Sequence, residues 1–401
     1  MTDLIIHGHF YQPPRENPWT GLIDREPSAY PYHDWNERIH AECYRANAFA
    51  RVLNQYGRIE NLVNNYAYLS FNFGPTLLSW IARNDSETYN RIIAADRWSV
   101  KANHGHGNAI AQAYNHIILP LANKRDRLTQ IRWGITDFKY RFGRQPESLW
   151  LSETACNDET LGDLIDEGLK FLILSPNQAE RIRPIEAKEW QSVTEGNIDP
   201  GVAYKYFHRD GSGRSIALFF YDGPIARSIA FEGTLISSQS LVNRLAQAHG
   251  GDGRVVHIAT DGESYGHHTH FGERGIAYAL LDEAPKQGFN ITNYGSYLER
   301  NPPTIEVEIK TGPNGEGTAW SCAHGVGRWC RDCGCQTGGR EDWNQAWRAP
   351  LRQALDYLRD EITNIFEQLG YEYFIDPWVA RDKYIEIMLE RPIDTSFSEV
   401  N

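Results

Sequence analysis

No run of apolar residues in this sequence is long enough to cross a bilayer as a helix, which takes about 20. The start lacks the pattern of a secretory leader. Met1-Thr2-Asp3 opens onto a short apolar stretch, Leu4 to Ile6, that ends at once in His7, whereas a leader carries an apolar core of about 7–15 residues behind a basic start. A cytoplasmic protein is the expectation. Positive charge is in deficit: 40 Lys and Arg against 52 Asp and Glu leave a net charge of −12. Such a surface repels phosphate backbones and anionic headgroups, so neither nucleic acid nor a membrane is an expected partner. Repeats and low-complexity segments are absent. Cysteine is sparse and unevenly spread: Cys43 and Cys156 stand alone, while Cys322, Cys330, Cys333 and Cys335 crowd together. In a reducing compartment that cluster suggests metal or redox chemistry more than a disulfide framework.

What is present is length and aromatic mass. The 401 residues suit a barrel-sized catalytic domain with an appendage. The 12 Trp, 21 Tyr and 16 Phe serve a core first, but pyranose faces also stack on aromatic rings. Short apolar runs recur and end in polar groups. Leu4–Ile6 leads to His7 and His9, Tyr68–Phe71 to Asn72, and Ser148–Leu151 to Glu153. Phe171–Leu174 leads to Ser175, Ile216–Phe220 to Asp222, and Val255–Ala259 to Asp261. Helical spacing lies between them, as at Leu161, Leu164, Ile165 and Leu169. Strand and helix in alternation predict a parallel sheet, and unbroken apolar strands predict burial on both faces. Polar groups at so many strand ends favour a β/α barrel, whose chemistry sits at that face; an open doubly wound sheet binds ligands at the same ends. The expected class is therefore α/β, with a complete barrel or an incomplete seven-stranded one both compatible.

Two segments break the alternation. Residues from about 190 to 231 predict a β-hairpin excursion turning at Arg209–Gly213. From Asp342 onward, Trp347, Leu351, Ala354, Leu355, Leu358, Ile362 and Ile365 recur at three- and four-residue steps. This predicts a helix stopped at Gly370, with a second over Val379–Leu389. The expected division is a catalytic barrel over 1–341 and a helical appendage over 342–401.

Four segments carry candidate chemistry. His7-Gly8-His9-Phe10-Tyr11-Gln12-Pro13 follows the first strand and offers groups for sugar hydroxyls or a metal. His104-Gly105-His106-Gly107-Asn108 precedes an apparent helix in which Gln112 and His116 share a face. Trp150-Leu151-Ser152-Glu153 ends a strand in a carboxylate able to attack an anomeric carbon. Asp261-Gly262-Glu263-Ser264-Tyr265-Gly266-His267 ends another in a second carboxylate. Glycoside cleavage uses two such groups, about 5–5.5 Å apart for retention and farther for inversion. A neighbouring carboxylate, Glu153 or Glu263, would raise the pKa of Asp261 and suit it to act as an acid.

Taken in order, these segments resemble glycoside hydrolase family 57. That family has a His-Gln-Pro motif after strand one, a Trp-Leu-x-Glu segment bearing a nucleophile, and an Asp-x-Glu-x-Phe/Tyr-Gly segment bearing the acid/base. The resemblance implies an incomplete (β/α)7 barrel followed by helices and a retaining action on α-linked glucans, as in amylases, 4-α-glucanotransferases and branching enzymes, with no catalytic metal. It makes Glu153 the nucleophile and Asp261 the acid/base. It puts His9, Gln12, His116, Trp150, Glu263, His267, Trp320 and His324 at the substrate, an oligo- or polysaccharide. This chain departs from the pattern with His-Phe-Tyr-Gln-Pro in the first motif and His267-His268 after Gly266. The segment from Trp343 resembles the start of a C-terminal domain of unknown function carried by one branch of the family.

The segment Trp320 to Cys335 allows three readings. Structural zinc on Cys322, Cys330, Cys333 and Cys335 lacks the two separated Cys-x-x-Cys knuckles of a zinc ribbon and is not favoured. A compact loop with free thiols is the second. The preferred one places Trp320, His324 and Trp329 along acceptor subsites. Two other functional classes remain compatible with the chain. One is a metal-dependent polysaccharide deacetylase using His7, His9, His104, His106, His267, His268 or His270. The other is a barrel that binds glycans without turnover.

Overall fold

The computed structural model describes residues 1–390 except 195, 249 and 337; the end of the predicted appendage, 391–401, lies outside the described residues. The apolar runs form the expected strands β1 Thr2–Phe10, β2 Ser70–Phe73, β4 Leu149–Trp150, β5 Phe171–Leu174, β6 Ser215–Phe220 and β7 Val255–Asp261, and a further short strand, β3 Ala111–Gln112, stands where a helix was expected. β1 runs parallel to β7, with His9 opposite Asp261, and parallel to β2, with His7 opposite Ser70. A bridge from Phe71 to Ala109 leads on to β3, which is parallel to β4. Ser148 bridges to Phe171 at the start of β5, and β5 is parallel to β6. At the far side, the Asp222 amide just past β6 donates to the His257 carbonyl of β7 at 2.9 Å. Both strand faces are buried, as in β5, where all four residues are covered, so the side chains at the strand C-termini are the ones left to face a ligand.

The structure corrects three expectations. The stretch 190–231 is not a mere excursion. Tyr204–Phe207 does form a hairpin with β6, but β6 belongs to the central sheet, and Gly223–Phe231 is a helix. The hairpin's outer strand continues into a side sheet through Ile305–Ile309 and Ala179–Pro184. The turn signal was real, while the buried run Ile216–Phe220 marked a core strand. Second, Gln112 and His116 do not share a helix. Gln112 ends β3, and His116 sits in a following turn at φ 55°, because the neighbours Ala109, Ile110, Ala111 and Ala113 are all buried and fill a strand's two faces.

Third, Gly370 does not stop the C-terminal helix. α2 spans Arg348–Tyr373 and α3 spans Pro377–Glu390, with Gly370 giving room where a Cβ would lie 2.6 Å from Pro377. The apolar stripe of α2 is not buried either: Leu351, Leu355 and Ile362 are 49%, 57% and 53% exposed. The segment is attached through polar contacts to α1, Lys124–Phe142. Arg125 meets Glu367 at 2.7 Å and lies over the Trp378 ring, Arg381 meets Asp126 at 2.7 Å, and Trp133 donates to the Asp382 carbonyl at 2.9 Å. Among the described residues no helix is long and apolar enough to cross a membrane.

α1 is closed by Asn123 accepting from the Asp126 amide and by Gly143 at φ 69°. It lies directly on β3: a Cβ at Gly134 would fall 1.9 Å from the Gln112 carbonyl oxygen. Gly134→Ala must push helix and strand apart, and overpacking of this kind costs about 1–3 kcal/mol or more. Urea unfolding should show that loss in the midpoint, whereas the exposed Gly211 changed to Asn should leave the midpoint near the wild-type value.

Candidate active site

The residue after β4 determines the site's geometry. Glu153 has φ 60° and ψ 19°, and Thr154 follows at φ 50°. Two left-handed residues other than glycine in a row cost of order 1–3 kcal/mol each and persist only where surroundings hold them. Buried Gln178 provides that hold. Its Nε2 donates to the Thr154 carbonyl at 2.8 Å, and its Oε1 accepts from the Thr154 hydroxyl at 2.9 Å. Residues 318–320 pair along the same turn: Thr318 and Cys156 exchange amide bonds at 2.9 and 3.0 Å, and the Trp320 amide donates to the Glu153 carbonyl at 3.0 Å. The Glu153 side chain then receives the Trp320 indole N–H at 2.9 Å and the Ser321 hydroxyl at 2.5 Å, both on Oε2.

Asp261, at the end of β7, faces this turn. The residue keeps an exposed surface, yet its surroundings withhold enough water to raise the carboxyl pKa to about 6, with the charge of Glu153 as the second cause. The two carboxylates predicted from separate strands are thus close enough to interact electrically. Tyr221 lies beside both Asp261 and Trp320.

Behind Asp261 lies Glu263, a buried carboxyl raised to about 8, by desolvation first and by Asp261 as well. Its Oε1 accepts from the Tyr44 hydroxyl at 2.6 Å and from the Tyr11 amide at 3.2 Å. With both contacts internal and only 7% of it exposed, Glu263 supports the site from behind and does not present itself to a ligand, contrary to the substrate-contact expectation.

The mouth of β1 carries a stack of rings. His9 lies parallel to His116 at 5.0 Å between ring centres and over Trp150 at 5.0 Å; His7 also lies over Trp150, at 4.8 Å. Tyr11 covers His116 at 3.8 Å. Asn72 links His7, His9 and Gln112 through side-chain hydrogen bonds of 2.8–3.2 Å. His9 and His116 meet Nε2 to Nε2 at 3.0 Å, which requires one to donate and the other to accept. Burial lowers the pKa of His7 to about 3 and of His116 to about 4, and holds His9 well below its usual value, so the stack is neutral.

The remaining predicted residues fall variously. Trp150 is 1% exposed and forms the floor under His7 and His9, so it has no face for a sugar; its place two residues into a buried strand run explains why. Gln12 is mostly buried and accepts from Arg15 at 2.9 Å. His267 turns to Glu42 at 2.5 Å, on the segment between β1 and β2. His324 is exposed, with Nδ1 at 3.4 Å from the Cys335 sulfur. Trp329, like Ile118 and Leu121, packs against a buried cluster of Ala155, Ala319 and Val326. The His104–Asn108 motif lies at the opposite end of the sheet, where His106 pairs with Glu147, two residues before β4, at 3.0 Å and with Glu299 at 3.3 Å. The histidines a deacetylase metal would use are therefore dispersed over different places. Sequence reasoning missed Tyr11, Tyr44, Gln178 and Ser321; Tyr11 and Ser321 adjoin predicted residues, while Tyr44 and Gln178 carry no local signal. A groove of about 650 Å³ lined by His116, Ile118, Trp133, Trp329 and Arg352 runs from the ring stack toward α2.

The parallel α/β fold with polar strand ends is that of a barrel-type enzyme. Residues 7–310 match the profile of glycosyl hydrolase family 57, and the chain belongs to that family. Residues 343–399 match DUF3536, a domain of unknown function. Comparison with curated proteins found no match. Among solved structures the chain is similar to an exo-type maltose-forming amylase of Pyrococcus sp. ST04, at TM-score 0.70 and 14% identity over 100% of this chain and 69% of that one. It is also similar to a branching enzyme of Pyrococcus horikoshii (TM-score 0.55, 14% identity, 82% and 74% covered) and to an α-amylase of Thermotoga maritima (TM-score 0.52, 10% identity, 98% and 89% covered).

The site's electrostatics make a prediction about stability. Glu263 binds a proton more tightly folded, at about 8, than at its ordinary 4.5. A raised pKa contributes stability that is complete below the unfolded value and is lost as pH rises through the folded one. Glu263→Gln keeps an acceptor for Tyr44 and Tyr11 and cannot ionise. Urea midpoints measured from pH 4.5 to 8.5 should therefore fall less with pH in this variant than in wild type; parallel curves would contradict a buried neutral Glu263.

Proposed function

We propose that the chain is a retaining enzyme of α-linked glucans, with Glu153 as nucleophile and Asp261 as acid/base, working at the open end of an incomplete seven-stranded barrel. The observation that carries this is the pair itself: two carboxylates from β4 and β7, one raised to a pKa of about 6 beside the other. The strand order from β7 through β1 to β6, with a single hydrogen bond from Asp222 back to His257, supports the barrel. The similar structures are a maltose-forming amylase, a branching enzyme and an α-amylase, and this chain takes its substrate class from that likeness.

In the first step Glu153 attacks the anomeric carbon while protonated Asp261 gives its proton to the departing glycosidic oxygen, forming a glycosyl ester. In the second, Asp261 as carboxylate removes a proton from water or from an acceptor hydroxyl, which displaces Glu153. Trp320 and Ser321 both donate to Oε2 of Glu153, which fixes the rotamer and leaves Oε1 to attack. Buried His9 holds His116 through the Nε2 pair, and half-buried His116 offers its remaining ring nitrogen to sugar hydroxyls without adding positive charge that would pull down the pKa of Asp261. Tyr11, at the edge of that stack, and the groove toward Trp329 and Arg352 extend the site for further glucose units. Neither step needs a cofactor.

Purified protein incubated with amylose, maltoheptaose and glycogen should release or rearrange glucan chains. Asp261→Asn should slow turnover by about 10²–10⁴-fold, and Glu153→Gln should abolish it while melting at the wild-type temperature. Turnover of Glu153→Gln at the wild-type rate would remove the assignment. Because Asp261 must start protonated, kcat/KM should decline as pH rises through about 6. Titration of the Asp261 carboxyl by carbon-13 NMR in Glu153→Gln should show a lower pKa than in wild type, since one of its two causes has gone.

A further inference from the structure

Cys322, His324, Cys333 and Cys335 lie in the loop that follows Trp320 and Ser321. Their donor atoms all fall within 4.8 Å of one another. The Cys322 sulfur is 3.9 Å from that of Cys333 and 3.8 Å from that of Cys335, and Cys335 is 3.4 Å from His324 Nδ1. Zinc bonds of about 2.3 Å to sulfur and 2.0–2.1 Å to nitrogen, set at tetrahedral angles, require edges of roughly 3.8 Å between sulfurs and 3.5 Å from sulfur to nitrogen. The three distances match those edges. They do not match a disulfide, whose sulfurs are about 2.05 Å apart, and thiols are weak hydrogen-bond donors that give little reason to converge. The residues form two short pairs, Cys-x-His and Cys-x-Cys, and Gly334 at φ 80° turns Cys333 and Cys335 toward one point. Cys330 stands outside: its sulfur faces the Val326 and Gly327 carbonyls at 3.7 Å and takes an N–H from Arg331 at 3.3 Å.

We propose that Cys322, His324, Cys333 and Cys335 bind a structural zinc ion that closes the 322–335 loop. The set differs from the all-cysteine one that the sequence offered, His324 taking the place of Cys330. Binding converts three thiols to thiolates and releases three protons, and imidazole binds through Nδ1. The complex has one net negative charge; Arg331, beside Cys333, is already paired with Glu316. All four positions of the tetrahedron are protein ligands, so the ion has no open site for catalysis. Its effect is mechanical: Cys322 follows Ser321 directly, so closing the loop fixes the downstream end of the segment 318–321 that holds Glu153. The inference stands on the loop alone and does not require the proposed reaction.

The test is elemental analysis of the full chain after incubation with zinc and gel filtration, beside single substitutions. About one zinc per chain is expected in wild type and in Cys330→Ser, with a loss of about ten-fold or more in Cys335→Ser. His324 is exposed, so His324→Ala provides a ligand variant with little effect on packing and should lose zinc too, while His324→Cys should keep it. Replacement by cobalt should give thiolate-to-metal charge-transfer absorption in wild type and Cys330→Ser but not in Cys335→Ser. Zinc far below one per chain in wild type, an intact mass two hydrogens light without reductant, or equal loss of metal from Cys330→Ser would each overturn the proposal.

Discussion

Everything in the site is positioned by the peptide that leaves β4. Trp150 is locked in the sheet and fully buried, and within three residues the chain must present a carboxylate to the opening where β7 ends. It does so by turning left-handed at Glu153 and again at Thr154. Neither residue has glycine's freedom there, so the turn depends on groups distant in sequence: Gln178 after β5, and the segment 318–321. Strain of this kind is stable because each backbone polar group of the turn finds a fixed partner. The same partners leave the Glu153 side chain with one oxygen occupied by two donors.

From that placement the electrostatics follow. A negative group at Glu153, combined with loss of water, raises Asp261 into the range where it can both give and take a proton near neutrality. A third ionised carboxyl so close would upset this balance, and Glu263 avoids it by staying protonated in its buried pocket against Tyr44. The histidines follow the same logic in reverse. Burial keeps His7, His9, His116 and His257 neutral, so the interior is polar without being positive. A charged imidazole beside Asp261 would favour its ionised form and remove the proton the first step needs.

The strands were legible because burial on both faces leaves little choice of residue: Phe171–Leu174 was read to its ends, and the carboxylates Glu153 and Asp261 were found by their position after such runs. β3 was not legible. It has two residues, Ala111 and Gln112, in a segment whose four-residue spacing imitates a helix. Where α1 meets β3, the signal was a glycine, Gly134, whose need becomes visible only once the Gln112 carbonyl is seen against it. Gln178 and Tyr44 were invisible for a different reason. Their role lies in contacts with residues 24 and 219 positions away, and no local pattern encodes such a distance. The cysteine-rich loop was recognised as a donor cluster but with one wrong member, since spacing alone cannot tell a sulfur turned inward from one held by backbone carbonyls.

The C-terminal segment looks peripheral by burial, with the apolar stripe of α2 half exposed, yet its contacts fall close to the site. Arg352 donates to the Leu121 carbonyl, and Leu121 packs against the same buried cluster, Ala155, Ala319 and Val326, as Trp329 of the loop that follows Ser321. On the barrel side the chain from Leu121 leads back through Ile118 to His116 in the ring stack. The helices therefore touch both walls of the groove that begins at His116. A shift of α2 would be felt at His116 through the Leu121 turn and at Glu153 through the loop. The physical argument for treating residues 343–390 as part of one working unit with the barrel is this pair of short contact paths, and it is independent of any sequence match.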